Sequence, residues 1–267
     1  MWLNGYVEML LAIPFGLAIG LVVGTVGGGG AILALPVLIY VLGEGVSPAS
    51  TASLIVVALG ASVGAGSQAR DGQLCWKVAL AFSLPAAAGA YLGTVASTEV
   101  SPRALVLSFV PVMLVAASLT YWRGGDDSES DGEAGGCPDP AFARAGGSGV
   151  GVGALTGFFG VGGGFLIVPA LTMLLGLPMR RAIATSLAII TITGLAALAS
   201  HLIEGAEPNW GLTLVLGVSA AAGALAGSSV SRRLQPRTLA HAFGLVVAAV
   251  ALFLLVDVLF LGGPPVG

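Results

Sequence analysis

Apolar residues form long unbroken blocks along this chain, with neither the one-sided stripe of a soluble helix nor the alternation of a half-buried strand. Six blocks, near 50–69, 76–97, 103–122, 182–202, 210–230 and 238–260, each hold about 20 residues, enough for an α-helix to cross a hydrocarbon core of roughly 30 Å. Two further blocks are interrupted: 7–26 with 31–43 forms one broken pair, and 148–161 with 164–176 forms another. The second member of the first pair is too short for an untilted crossing, so a tilted or re-entrant segment is expected there. Between the halves, residues 123–147 are acidic, small and turn-rich, which predicts a disordered hydrophilic linker.

The interruptions are glycine runs. The first is Gly24-Thr-Val-Gly-Gly-Gly-Gly-Ala-Ile-Leu-Ala-Leu-Pro36. Glycine costs a helix about 1 kcal/mol per residue relative to alanine, so Gly27, Gly28, Gly29 and Gly30 are expected to unwind it. Unwound backbone at membrane depth is tolerated only where protein buries it or where it lines a watery cavity. The second run, Gly157-Phe-Phe-Gly160-Val-Gly162-Gly163-Gly164-Phe-Leu-Ile-Val-Pro169, keeps the spacing, with Gly160 standing for Gly27 and Pro169 for Pro36. In that frame Gly20 meets Gly153, Gly43 meets Gly176, and Ser53-Leu54 meets Ser186-Leu187. After one inserted residue, Gly89, Gly93, Ser97, Pro102 and Arg103 meet Gly223, Gly227, Ser231, Pro236 and Arg237. An internal duplication of nearly the whole chain outside the linker is therefore expected.

Composition settles the class. Of 267 residues 56% are hydrophobic and only 9% charged, against about 25% charged in an ordinary globular domain. This is an integral membrane protein, and long blocks favour α-helical spans over a β-barrel. Forty-two glycines suit helices packed closely in lipid. No lysine or arginine precedes the first block and Glu8 lies there, so a retained first span is expected in place of a cleaved signal. Cys75 and Cys137 fall in predicted loops without metal-type spacing, and neither a disulfide framework nor a zinc site is expected. There is no basic patch for nucleic acid.

Charge gives a topology. With five crossings or crossing-equivalents per half and the N-terminus outside, Arg70, Lys77, Arg123, Arg144, Arg180, Arg181, Arg232, Arg233 and Arg237 all fall inside, and only Arg103 outside. An odd number of crossings makes the two repeats antiparallel, the inverted-repeat plan of many secondary transporters. The expected divisions are residues 1–122 as the first repeat, 123–147 as a cytoplasmic linker and 148–267 as the second repeat.

The candidate chemistry is sparse. Each glycine break would leave a half-helix N-terminus facing a shared midplane site, where free N–H groups suit an anion; the competing reading is that the glycines merely permit tight helix crossings. Hydroxyls follow each break: Ser50, Thr51 and Ser53 in the first half, Thr185 and Ser186 in the second. They can donate to an oxyanion, or equally cap helices and bond back to the carbonyl one turn earlier. His201, with Gln68 at the equivalent place, is a candidate for proton coupling, whereas Asp257 is expected at the interface. Gly60-Ala-Ser62-Val-Gly64 matches the nucleophile-elbow pattern but lies within an apolar block, so an intramembrane serine hydrolase pairing Ser62 with His201 is a remote alternative. No nucleotide-binding loop is present.

The Gly-x-x-Gly-x-Gly-Gly-Gly type of segment, followed by Pro-x-Leu and then Ala-x-x-x-Ser-Leu, resembles the sulfite exporter TauE/SafE family of permeases. Gly24 to Leu38 with Ala49 to Leu54 carries it once, and Gly157 to Leu171 with Ala182 to Leu187 carries it again. Asn209-Trp210, Gly223, Gly227 and Arg232 to Leu239 are similar to that family's C-terminal half. The resemblance implies transport of small sulfur-containing or organic oxyanions, sulfite and sulfonates among them, across the cytoplasmic membrane, with export the direction commonly assigned. The family supplies no fixed list of catalytic residues, and Val161 breaks the symmetry where the first half has Gly28.

The sequence therefore predicts an all-α integral membrane protein, a polytopic bundle of two inverted repeats with five segments each and a glycine-broken first pair. The expected substrate-binding residues are Gly27, Gly28, Gly29, Gly30, Pro36, Thr51, Ser53, Gly160, Gly162, Gly163, Gly164, Pro169, Thr185 and Ser186. Its expected partners are a small anion, the lipid bilayer and a coupling ion, proton or sodium; a homo-oligomer is compatible with the sequence, and no cofactor or enzymatic activity is expected. A passive anion channel of the same fold is the rival reading.

Overall fold

The computed structural model describes residues 2–97, 100, 102–123, 137, 142–159, 164–203 and 208–257. Among these every regular element is helical, in the order α1 (Trp2–Val26), a 3-10 turn (Gly28–Gly30), α2 (Ala31–Pro36) continued by a π-helical turn (Val37–Val41), α3 (Val46–Arg70), α4 (Trp76–Ser97), α5 (Pro102–Arg123), α6 (Phe142–Phe159), α7 (Gly164–Met173), α8 (Met179–Ile203), α9 (Trp210–Arg233) and α10 (Pro236–Val256). Among the described residues, six stretches are long and apolar enough to cross a membrane: Met9–Val26, Pro48–Arg70, Trp76–Ala96, Met179–Ile203, Trp210–Arg233 and Pro236–Val256. The protein is a polytopic all-α membrane protein. Trp76, Trp122 and Trp210 are exposed near helix ends, where an aromatic belt meets the bilayer interface.

Local sequence explains the boundaries. Asn209 caps α9, its side-chain oxygen accepting the Leu212 N–H at 3.3 Å, and Pro236 opens α10 where its missing N–H costs nothing. The two short helices after the breaks end alike. Gly43 (φ 69°) and Gly176 (φ 66°) take the left-handed conformation, and the next N–H returns six residues, Glu44 to the Leu38 carbonyl at 3.0 Å and Leu177 to the Leu171 carbonyl at 3.1 Å. Helix α6 begins at Phe142, six residues before the expected start. Ala145 is fully buried there, so the end of the predicted linker is drawn into the bundle. Apart from Arg123, Cys137 and 142–147, the predicted linker lies outside the described residues.

Packing pairs each half with the other. Helix α1 runs parallel to α9, with Gly20 against the backbone of Ala220 and Gly24 against that of Ala224, so close that a methyl group at either would overlap a carbonyl oxygen. Helix α6 lies on α4 in the same manner, Gly153 against Ala86 and Gly157 against Ala90. The reciprocal contacts also match: Gly223 and Gly227 approach Leu17 and Leu21, while Gly89 and Gly93 approach Val150 and Ala154. Small residues admit the neighbouring backbone, the usual basis of helix association in lipid. Helices α3 and α8 run antiparallel, since Thr51 meets His201 at one end and the Cys75 N–H meets Thr185 at the other. Helices α5 and α10 are antiparallel too, with Gly244 on Ala117 and Tyr121 stacked on His241 at 4.2 Å.

Contacts between helix ends define two faces. On one, Arg180 reaches the Leu234 carbonyl at 2.9 Å and Arg232 pairs with Asp71 at 2.9 Å. On the other, Glu44 accepts from Asn209 at 3.1 Å and Tyr40 donates to Asp257 at 2.8 Å. Asp257, at the end of α10, is buried by protein with 2% exposure, because the π-helical turn carries Tyr40 against it.

One expectation is corrected outright. Cys75 and Cys137 are joined in a disulfide. The parallel α4 and α6 bring their preceding segments to the same face, so two cysteines 62 residues apart become neighbours. No local spacing announces that.

Two outcomes follow. In a Cys75→Ser/Cys137→Ser background, single cysteines at Glu44 and Arg233 should label with a membrane-impermeant maleimide from opposite sides; labelling from the same side would contradict this helix path. Gly20→Leu should lower resistance to unfolding in mixed detergent by about 1–3 kcal/mol, because the overlap is with backbone and not with a movable side chain. Gly66→Leu, at an open position on α3, should cost clearly less.

Candidate functional site

The first break is built as its glycines dictate. Helix α1 ends at Val26, and Gly27 follows with φ 79°, a left-handed conformation that a β-carbon would strain. Its own N–H still reaches the Val23 carbonyl at 2.9 Å, so the turn closes the helix before the chain departs. Gly28–Gly30 then form the 3-10 turn, and α2 starts without a side-chain cap. Gly30 packs back on Val23 and the Ile19 carbonyl, which folds the short helix toward α1.

The break touches the second half directly. A β-carbon at Gly27 would stand 2.7 Å from the Ser186 hydroxyl oxygen and 3.2 Å from the Val168 side chain. Gly28 lies against the backbone carbonyl of Gly164, the first residue of α7. Ser186 is fully buried, and its hydroxyl donates to the Ile183 carbonyl at 2.8 Å. Gln68 is buried beside the end of α1, with its amide nitrogen 3.5 Å from the Gly24 carbonyl. Gly27, Gly28, Gly164 and Ser186 thus form one cluster, where α1, α7 and α8 converge, with Gln68 beside the end of α1.

Other expected residues sit elsewhere. Thr51 and His201 face each other at 3.0 Å between Thr51 Oγ1 and His201 Nδ1. The 15 residues of α8 from Ser186 to His201 span about 22 Å, so this pair is separate from the glycine cluster. Ser53 donates back to the Ser50 carbonyl at 2.7 Å, the same one-turn bond that Ser186 makes. Thr185 accepts the Cys75 N–H at 3.2 Å. Pro36 ends α2, where its ring helps turn the chain into the π-helical segment, and Pro169 is buried inside α7. Gly29 belongs to the 3-10 turn. Gly160, Gly162 and Gly163 lie outside the described residues.

Electrostatics here comes from dipoles and hydroxyls. Each of the ten lysines and arginines lies within three residues of a helix end. Ser62 lies on the exposed side of α3 and donates to the Leu59 carbonyl at 2.9 Å. It is about 16 Å along that helix from Thr51, the partner of His201, so no serine–histidine pair forms. Sequence reasoning passed over the Tyr40–Asp257 pair and the cystine, both of which join residues distant in the chain.

Comparison with known proteins agrees with this architecture. The family model described as sulfite exporter TauE/SafE matches residues 12–254. A protein called "Probable membrane transporter protein" from Xylella fastidiosa (strain Temecula1) is 30% identical over 252 residues, covering 93% of this chain and 95% of that one. A probable membrane transporter protein of Methanocaldococcus jannaschii is 25% identical over 266 residues, covering 93% and 97%. The probable membrane transporter protein YunE of Bacillus subtilis is 35% identical over 109 residues, 41% of this chain and 40% of YunE. No solved structure matches. With nearly the whole length matched and a bundle of apolar helices to carry it, the chain belongs to the sulfite exporter TauE/SafE family and is a multi-pass membrane transporter.

Proposed function

We propose that the protein is a secondary transporter that exports small sulfur-containing or organic oxyanions, sulfite or sulfonates, across the cytoplasmic membrane. The anion sits by the glycine breaks, and the two halves rock about it in alternating access. The observation that carries this reading is the contact of Gly27 and Gly28 with Ser186 and Gly164, where unwound backbone of one half meets the start of a helix in the other. Such a place offers N–H groups and a hydroxyl to an anion without the desolvation cost of a buried arginine. The exchange of helices between halves supports the inverted repeat, because α1 on α9 corresponds to α6 on α4 in the 133-residue frame. The positive-inside rule makes the basic face cytoplasmic. The family description supports the substrate class and the direction.

A gradient must drive export, and a proton or sodium ion is the proposed coupling ion. Gln68 and the Thr51–His201 pair are proposed to sense it, one beside the break and one near the opposite face. An anion channel lacks counterflow, and that separates the rival reading.

The test is flux in proteoliposomes with sulfite, sulfate, thiosulfate, sulfoacetate and a plain carboxylate. Saturable counterflow of a sulfur oxyanion is expected. Ser186→Ala should weaken half-saturation about fivefold, roughly 1 kcal/mol, since the hydroxyl gives up its bond to Ile183 to donate to substrate. Unsaturable flux without counterflow would replace the carrier with a channel, and an unchanged Ser186→Ala would move the site away from the break.

A further inference from the structure

The Cys75–Cys137 disulfide lies on the basic face, in the loop between α3 and α4 and in the segment before α6. The positive-inside rule makes that face cytoplasmic. Cytosolic thiol pools keep most cysteines reduced there, and disulfides that do form are as a rule transient, catalytic or redox-sensing. Its two residues are not equivalent. Cys137 is exposed, whereas Cys75 is fully buried. Cys75 directly precedes α4, and its carbonyl accepts the Ala79 N–H at 2.9 Å. Access decides which sulfur of a disulfide is attacked. Exposure therefore selects Cys137 as the sulfur attacked, which leaves Cys75 as the sulfur released.

Cys75 is also wired to the glycine cluster. Its N–H donates to Thr185 Oγ1 at 3.2 Å, and the next residue, Ser186, lies against Gly27. One hydrogen bond thus joins this cystine to the start of α8.

We propose that Cys137 Sγ is a covalent modification site for a small anionic sulfur nucleophile, a thiolate or sulfite, with Cys75 departing as thiolate and Thr185 sensing the cleavage. In the step, the nucleophile's sulfur lone pair forms a new bond to Cys137 Sγ while the Cys137–Cys75 bond breaks, and its electron pair leaves on Cys75. With a thiolate the product is a mixed disulfide on Cys137; a second thiolate then releases it as a small disulfide, and the two thiolates have supplied two electrons. With sulfite the product is an S-sulfonate on Cys137 together with the Cys75 thiolate. Sulfite's sulfur is oxidised as the cystine is reduced, and no other reagent is needed. The sulfite arm rests on the sulfur-oxyanion reading of the transporter; the thiolate arm does not.

The experiment treats the folded full-length protein with sulfite or with glutathione, stops exchange and alkylates free thiols with N-ethylmaleimide in acidic denaturant, and maps both cysteines by peptide mass spectrometry. A sulfonate or glutathionyl group on Cys137 with alkylation on Cys75 is expected, in about tenfold excess over the reverse assignment. Equal or reversed labelling, or no cleavage of folded protein at a concentration that cleaves the unfolded chain, overturns the proposal. The identity of the adduct tells which nucleophile reacts. Hydrogen exchange over Cys75 and the start of α8 supplies the second readout. Cleavage should raise it severalfold in the native sequence and in Thr185→Ser, but leave Thr185→Val, which lacks the acceptor, unchanged; an equal response in Thr185→Val overturns the sensing step. Neither readout needs transport, so failure here and failure of the transport assay remain distinguishable.

Discussion

Backbone-to-backbone approach at glycine is the constraint on which this bundle depends. In lipid there is no hydrophobic drive between helices, since the surrounding tails are as apolar as leucine, and association relies on dispersion and close fit. The α1–α9 and α4–α6 pairs achieve that fit by placing glycine where a side chain would strike a carbonyl. Each pair joins a helix of one half to a helix of the other. The halves are therefore interlocked, and the first glycine break is held against α7 and α8 by the same crossing that packs α1.

That arrangement separates two uses of glycine in one sequence motif. Gly24 and Gly157, which open the two repeated segments, serve helix packing against Ala224 and Ala90. Gly27, three residues on, serves the break itself through its left-handed conformation. The hydroxyls divide as well. Ser186 belongs to the break, whereas Thr51 pairs with His201 near the opposite end of α8. A transporter built this way has one polar group near each end of the antiparallel α3–α8 pair, which suits access from one side at a time.

Much of the fold was legible because lipid imposes a simple code. Twenty-residue apolar blocks became helices, and Gly27–Gly30 ended α1 within one residue of the expected place. The matching of Gly43 with Gly176 reappears as two left-handed glycines with the same six-residue return bond. What stayed hidden was everything set by non-local packing. No feature of the local sequence around Cys75 points to Cys137, because their approach depends on α4 lying beside α6. Asp257 could not be recognised as buried, since its cover, Tyr40, comes from a π-helical turn 217 residues away in the chain. Of the expected site, Gly27, Gly28, Gly164 and Ser186 come together, while Thr51 and Thr185 take partners that repeat symmetry does not name.

The most direct test of alternating access is the reactivity of buried positions from each side of the membrane. Ser186→Cys and His201→Cys, each in a Cys75→Ser/Cys137→Ser background, would be exposed to an impermeant thiol reagent with and without a saturating sulfur oxyanion. The account predicts that Ser186→Cys reacts from the basic face and His201→Cys from the other, and that substrate shifts the two rates in opposite directions. Simultaneous reaction of both positions from either side, unchanged by substrate, would describe a continuous pore and contradict it.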